Sequence, residues 1–407
     1  MRNQRRLRFP VVFAIAAVCL CLISCSVESS LDEDQDGTGD DDDTALQADD
    51  ADFPDNYIVG AHYYPWYNTG GHHWVDPPYE RTHLLDPYLG EYDCSDPLVA
   101  EQQIEWAAEY GLDVLTLEWF GPDSYAADNL EAGFFQAGNL NRIHFCIFYD
   151  TMIRMAPIVG GGWSMNINFS EPEVRQTFID DLVGIAEKYF DHPQYFKISE
   201  RPVMWIYWTI GFTGDFPGAM EEARAELMAR GYDLYLVADY PFVELKPGFV
   251  PYFDAISAYC IWQKFLYVAF DTRDIGHLAD VLELLFKQTR ERVTQMQVAG
   301  RDDGAMVDFH PGVIPQFDDS WMEGFPRVLN FPVHASSKDD VIKMFQVARE
   351  ATEPAYDSDL HITWITSFNE WHETTTIEPA IVDAGPAYPC GNYGFDFMEA
   401  VQEVFSE

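Results

Sequence analysis

The stretch "ITWITSFNEWHETTTIEP", residues 362–379, carries the decision about the fold. It opens with Ile362-Thr363-Trp364-Ile365, the kind of run that a strand buried on both faces requires. An amide, an indole, an imidazole and two carboxylates come at once after it, at Asn369, Trp371, His372, Glu370 and Glu373. Such a cluster is costly in a core and unnecessary on a surface loop. A buried strand that runs straight into chemistry-bearing residues is the pattern of a barrel in which the βα loops build the active face.

The same pattern recurs along the chain. Strand-like apolar runs are expected at 58–62, 114–118, 143–149, 203–207, 234–239, 255–259, 305–310 and 362–367. Helix signals lie between them. Asp96 with Pro97 opens one helix and Gly111 closes it. Ser170 and Glu173 have capping-box spacing ahead of Val174, Phe178, Leu182 and Ile185, which share one face. Gly231 ends the helix after Pro217, and Ser337 opens the one over 341–351. Eight strands, each followed by a helix, predict an α/β fold, a (β/α)8 TIM barrel over 56–407. A doubly wound open sheet is the alternative, but no G-x-G-x-x-G follows the first strand.

A barrel places its chemistry at the strand C-termini, and the sequence does so. The first strand runs into Tyr64 and Trp66, the second into Glu118-Trp119, and the third into Tyr149-Asp150. The later ones end at Tyr207-Trp208, Asp239-Tyr240, Tyr259 with Trp262 nearby, His310, and the Asn369–Glu373 cluster. Any one ring there can be core or rim; the repetition predicts an aromatic, acid-bearing cleft suited to sugar faces.

Glu370 and Glu373 are three residues apart. In a single helical turn they share a face, with carboxyls about 5–6 Å apart, the spacing of a retaining glycosidase. Two close carboxylates also push each other's pKa apart, so that one can serve as the acid. The plain alternative is a pair of solvated helix-cap residues. Asn369 is a candidate to bind a sugar hydroxyl or orient a carboxylate, and Trp371 to lock the turn by packing.

Metal chemistry has less support. His72 and His73 diverge in extended backbone, and His62, His310 and His372 could meet at the mouth, but no H-E-x-x-H accompanies them. No cofactor is expected. No G-x-S-x-G elbow is present. The net charge of −44 excludes nucleic acid and anionic lipid surfaces as partners. A glycan or polysaccharide substrate and a monomeric state are expected.

Residues 1–25 read as an address. Arg2, Arg5, Arg6 and Arg8 precede an apolar segment too short to span comfortably, ending in Leu22-Ile23-Ser24-Cys25. That ending resembles a bacterial lipobox and implies lipidation of Cys25, anchoring at the cell envelope, and a membrane link through the lipid alone. Residues 26–55 are acidic and poor in apolar groups, a disordered tether. Asp32, Asp34, Asp36 and Gly37 match the start of a calcium loop, but the closing Glu is missing. Cys94, Cys146, Cys260 and Cys390 come after the lipobox. Cys146 and Cys260 read as core residues, and Cys94 and Cys390 as loop residues that could form a bridge.

"SFNEWHETTTIEPA" resembles the C-terminal signature of glycoside hydrolase family 99, the endo-α-1,2-mannosidases and mannanases. "GAHYYPWYNTGGHHW", "DVLTLEWFGPDS" and, more loosely, "FHPGVIPQFDDS" are similar to that family's first, second and seventh strands, in family order. The resemblance implies a (β/α)8 barrel, no metal, and endo-cleavage with retention, in which the substrate 2-OH attacks the anomeric carbon. By position, Glu370 would deprotonate that hydroxyl, and Glu373 would protonate the leaving oxygen and then activate water. Tyr64, Trp66 and Trp119 would line the donor pocket. Relatives commonly read Glu-Gly-Thr where this chain has Glu373-Thr374-Thr375, and a threonine resists the positive φ that glycine allows. The nearest alternatives are a family-99-like polysaccharide-processing protein of other specificity and a lipoprotein that binds glycan without cleaving it.

Overall fold

The computed structural model describes residues 56–71, 73–75, 82–161, 165–240, 245–261, 275–319, 333–356, 358–382 and 393–406. The lipobox, the tether with its calcium-like loop, His72, Trp262 and Cys390 lie outside the described residues.

Nine short strands form one parallel sheet: β1 Tyr57–Tyr63, β2 Val114–Trp119, β3 His144–Asp150, β4 Arg201–Tyr207, β5 Tyr235–Asp239, β6 Ala255–Ser257, β7 Asp308–Phe309, β8 Gly312–Val313 and β9 His361–Ile365. Their order is β7-β6-β5-β4-β3-β2-β1-β9-β8. The strand expected at 305–310 is therefore two pieces, displaced toward the C-terminus. Pro311 has no N–H for a ladder and divides them. Before it, the His310 N–H donates to Ile256 O on β6 (3.0 Å); beyond it, the Trp364 N–H of β9 donates to Pro311 O (2.9 Å).

The sheet is strongly curled. A flat sheet would hold β4 and β9 about 19 Å apart across four interstrand spacings. Instead, the rings of Trp205 on β4 and Trp364 on β9 lie 5.7 Å apart, and His62 on β1 is 4.7 Å from Trp205. This is the geometry of a TIM-like barrel. Gly60 on β1 makes room for the packing, since a Cβ there would sit 2.2 Å from Trp364 Cζ3.

Helices cover the outside: α1 Pro97–Glu109, α2 Tyr125–Ala132, α3 Thr151–Val159, α4 Pro172–Tyr189, α5 Phe216–Met228, α6 Ile275–Val293, α7 Lys338–Glu350 and α8 Asp396–Phe405. Asp96 caps α1 by accepting the Leu98 N–H, and Ser337 caps α7 by accepting the Asp340 N–H. The Ser170–Glu173 capping box does not form. Pro172 starts α4, so Glu171 takes the cap position without a side-chain bond, and Ser170 Oγ accepts the Asp215 N–H instead. Between β5 and β6, where a helix is expected, the described residues form only a short 3-10 turn at Val250–Tyr252.

Toward the strand N-termini, Asp254 is buried between two arginines. Its carboxylate bonds Arg201 (2.5 Å) and Arg224 (2.7 Å) and accepts the Leu236 N–H (2.9 Å). Cys146 is a core residue as expected, whereas Cys260 is only partly buried, because β6 ends before it. Cys94 is buried.

Candidate active site

The turn after β9 is held by a bond of its own and by the β1 strand and loop, rather than by helix formation. Ser367 Oγ accepts the Glu370 N–H (2.7 Å), the Tyr67 hydroxyl accepts the Trp371 N–H (3.0 Å), and the Phe368 N–H donates to His62 O (2.8 Å). With those N–H groups engaged, the expected helical turn gives way to a tight turn closed by the Thr374 N–H on Trp371 O (3.3 Å). Thr374 ends it at φ 59° and is fully buried. It adopts the left-handed conformation that its side chain resists, with its Oγ1 donating to Asp318 O (2.7 Å).

Glu370 lies 3% exposed, and its Oε1 accepts the His372 N–H (2.8 Å) and the Glu373 N–H (3.3 Å). Glu373 is half-buried. Tyr64 and Tyr259, joined hydroxyl to hydroxyl at 2.7 Å, stand against both glutamates. Burial pushes both phenols well above their ordinary value. For Tyr64 the charges of Glu118 and Glu370 add to this, and for Tyr259 the neighbouring Tyr64 and Glu373 do. Beside them, Trp66, His73 and His372 form a stack, with ring centroids 4.5 Å and 4.8 Å apart in succession.

Asp150 and Asp239 complete the acid-lined end of the strands. Burial raises each carboxyl to about 6, although Asp150 accepts the Ile153 N–H (2.8 Å) and Asp239 the Tyr259 N–H (2.9 Å). Tyr207 is packed edge-on to Tyr259 at 5.0 Å, and Asp239, Asp150 and Glu373 all act on it.

Other candidates are placed elsewhere. Tyr149 turns outward, and its hydroxyl donates to Asp181 on α4 (2.7 Å), because β3 alternates its faces and Asp150 takes the inward one. Trp119 packs edge-on against Tyr149, one residue out of phase with Glu118. Tyr240 is fully buried against Phe253. His310 lies inside the barrel, stacked on Tyr235 and accepting the Trp364 Nε1–H (3.3 Å). His62 is likewise interior, against Thr116 Oγ1. Burial lowers both imidazoles to about 3, and neither joins His372 at the mouth. Among the described residues, no group of three or more His, Cys, Asp or Glu side chains is placed to hold a metal ion. Asn369 is fully buried and engaged, gripping the Tyr64 main chain and donating to the Tyr92 hydroxyl (3.2 Å).

Glu378 belongs to the quoted motif but was not a candidate. Fully buried, its carboxylate accepts from Tyr92 OH (2.8 Å), Gln103 Nε2 (2.8 Å) and Trp371 Nε1 (3.0 Å). Through Trp371 it ties down the Glu370 turn. Its only sequence signal is its place beside the buried Ile377.

Comparison with known proteins bears on the fold and the family. Rat glycoprotein endo-alpha-1,2-mannosidase is 22% identical over 377 residues, covering 81% of this chain and 69% of that protein. A GH99 endo-alpha-mannosidase from Bacteroides thetaiotaomicron superposes with a TM-score of 0.59 at 18% identity, over 86% of this chain and 96% of that one. A solved glycoside hydrolase-like protein superposes at 0.63 with 16% identity, over 86% and 94%. The fold is therefore family-99-like. The family model described as glycosyltransferase WbsX matches residues 160–388, more than half of the chain, and the protein belongs to the WbsX family.

Proposed function

We propose that this protein is a retaining, endo-acting glycoside hydrolase for α-mannoside-type linkages, with Glu370 and Glu373 as its catalytic pair. The observation that carries the reading is the turn itself. A buried glutamate and a half-buried one share a turn clamped to the β1 loop, beside the linked hydroxyls of Tyr64 and Tyr259. The reading includes a closed barrel, supported by the 308–313 run that bonds β6 on one side of Pro311 and β9 on the other.

In this mechanism Glu370 removes the proton of the substrate 2-OH. O2 attacks C1 as the glycosidic C1–O bond breaks, and Glu373 gives its proton to the departing oxygen. Water then attacks C1 of the 1,2-anhydro sugar and loses its proton to Glu373, while Glu370 returns a proton to O2. Two inversions leave the configuration retained. The two backbone N–H groups on Glu370 Oε1 hold the base in register.

The family description raises a second reading, transfer of a sugar to an acceptor. A nucleotide-sugar donor brings a diphosphate, which the carboxyls of Asp150, Asp239, Glu370 and Glu373 oppose. Transfer from a glycan donor uses the same first step, with an acceptor hydroxyl replacing water. Incubating the protein with α-1,2-linked mannan and sizing the products tests the proposal. Internal cleavage is expected. Consumption of a nucleotide sugar with mannan left intact would establish the transfer reading instead.

The proposal places the enzyme at the bacterial cell envelope, held by lipid on Cys25. The support is the sequence pattern around that cysteine.

A further inference from the structure

Glu118, at the end of β2, is 1% exposed, and neither of its carboxyl oxygens has an N–H or O–H partner among the described residues. It lies on the same strand face as Thr116, which meets His62 inside the barrel, so it points to the cleft end of the interior. The groups facing it are Asp150 from β3, Glu370 from the turn after β9, and Tyr64 from the β1 loop. Tyr207 and Asp239 face Asp150 from β4 and β5.

Glu118 pairs with Phe148 in the β2–β3 ladder, and Asp150 lies two residues further along β3 on the same face, so the two carboxyls are neighbours across adjacent strands. Two ionised carboxylates are acceptors only, so such a pair can bond only when one of them carries a proton. The surroundings decide which one. Asp150 caps α3 and accepts the Ile153 N–H, a position that favours an anion. Glu118 has no such donor, and burial pushes its carboxyl well above the usual carboxylate range.

We propose that Glu118 and Asp150 are a second carboxyl pair of the cleft, sharing one proton, and that they recognise a sugar hydroxyl next to the Glu370 turn. The hydroxyl donates to Asp150 and accepts from Glu118, so the pair reads a group that is donor and acceptor at once. An ammonium group would instead require both carboxyls ionised. The inference rests on the glycosidase reading of the same cleft and adds its specificity.

The proton is tested without substrate. An infrared difference spectrum of the full chain at pH 7, wild type minus Glu118→Gln, is expected to show a protonated-carboxyl stretch; its absence overturns the proposal. Recognition is tested by calorimetry with α-1,2-linked mannotriose, in a Glu373→Gln background that blocks turnover. Glu118→Gln keeps a donor and is expected to bind within about threefold of its parent, while Glu118→Leu binds about 10- to 100-fold more weakly. The parent's affinity is expected to fall at alkaline pH as Glu118 ionises, and that fall is absent from Glu118→Gln. If Glu118→Leu does not fold, the Gln pH profile decides alone. Equal affinity and equal pH dependence in all three, affinity that rises with pH, or a parent that does not bind the trisaccharide each overturn recognition. If wild type leaves mannan uncut while the infrared band and the pH-dependent binding persist, the pair stands and only the hydrolytic reading fails.

Discussion

Asn369 holds both main-chain polar groups of Tyr64: its Oδ1 accepts the Tyr64 N–H at 2.7 Å and its Nδ2 donates to Tyr64 O at 3.0 Å. One side chain thus ties the turn after β9 to the loop after β1, across a sequence separation of 305 residues. Asn369→Ala leaves the buried Tyr64 N–H unpaired, at about 1–3 kcal/mol, and Tyr64 O with the weaker Cys94 thiol contact (3.8 Å). The expected outcome is a lower melting temperature together with a loss of turnover, read by calorimetry and by mannan cleavage. Unchanged values in both would show that the two loops hold their places independently.

For the proposed catalytic pair, Glu370→Gln and Glu373→Gln are each expected to lose roughly 10²- to 10⁴-fold in rate. They differ in their dependence on the leaving group. An activated aryl α-mannoside needs little protonation, so Glu373→Gln retains its first step on that substrate, whereas Glu370→Gln does not recover. A 2-deoxy substrate is expected to resist the wild type. Near-wild-type rates in either variant would assign that glutamate to a capping role.

Glu378 gives the structure a pH-dependent stability. Burial raises its carboxyl from 4.5 to about 7, and Asp150 and Asp239 rise from 3.8 to about 6. A group whose folded-state pKa exceeds its unfolded value binds its proton more tightly when folded, so its stabilisation is complete below about pH 4 and is lost as pH rises through the folded pKa. For Glu378 the loss reaches the order of 3 kcal/mol by pH 8. The melting temperature is expected to fall between pH 5 and pH 8, and Glu378→Gln to flatten that slope. Equal slopes in the two proteins would remove Glu378 as the cause.

Gly60→Ala places a methyl group against the Trp364 ring, where an added Cβ has only 2.2 Å. Overpacking of this kind costs about 1–3 kcal/mol. Urea unfolding is expected to show that loss, and Trp364→Leu to relieve part of it in the double variant. Strictly additive effects would mean that the ring does not set the requirement for glycine.

Cys25→Ala is expected to yield unprocessed precursor or a released form. Fractionation of cells checks this, and wild-type processing with membrane retention would reject lipidation at Cys25.

The strand positions and the acid-bearing turn at their end were legible in the sequence because parallel strands covered on both faces need near-continuous apolar runs. The places where those runs stop stand out; Glu118-Trp119, Tyr149-Asp150 and the turn after Ile365 were all visible in this way. Only the tertiary structure decided which neighbour at each stop faces the cleft. Glu118 and Trp119, or Asp150 and Tyr149, are adjacent in sequence but lie on opposite faces, and ladder register and curl fix which face becomes the interior. Glu378 shows the same division. It sits in one motif with Glu370 and is chemically alike, yet Tyr92 and Gln103 from distant segments, with Trp371 of the same motif, turn it into a buried support. The helix expected around the glutamates failed for a related reason: Tyr67 and the Asn369–Tyr64 pair engage the turn through contacts that exist only once the chain has closed on itself. Local pattern determines where a strand lies and which groups stand at its end; long-range hydrogen bonds determine which of those groups meet.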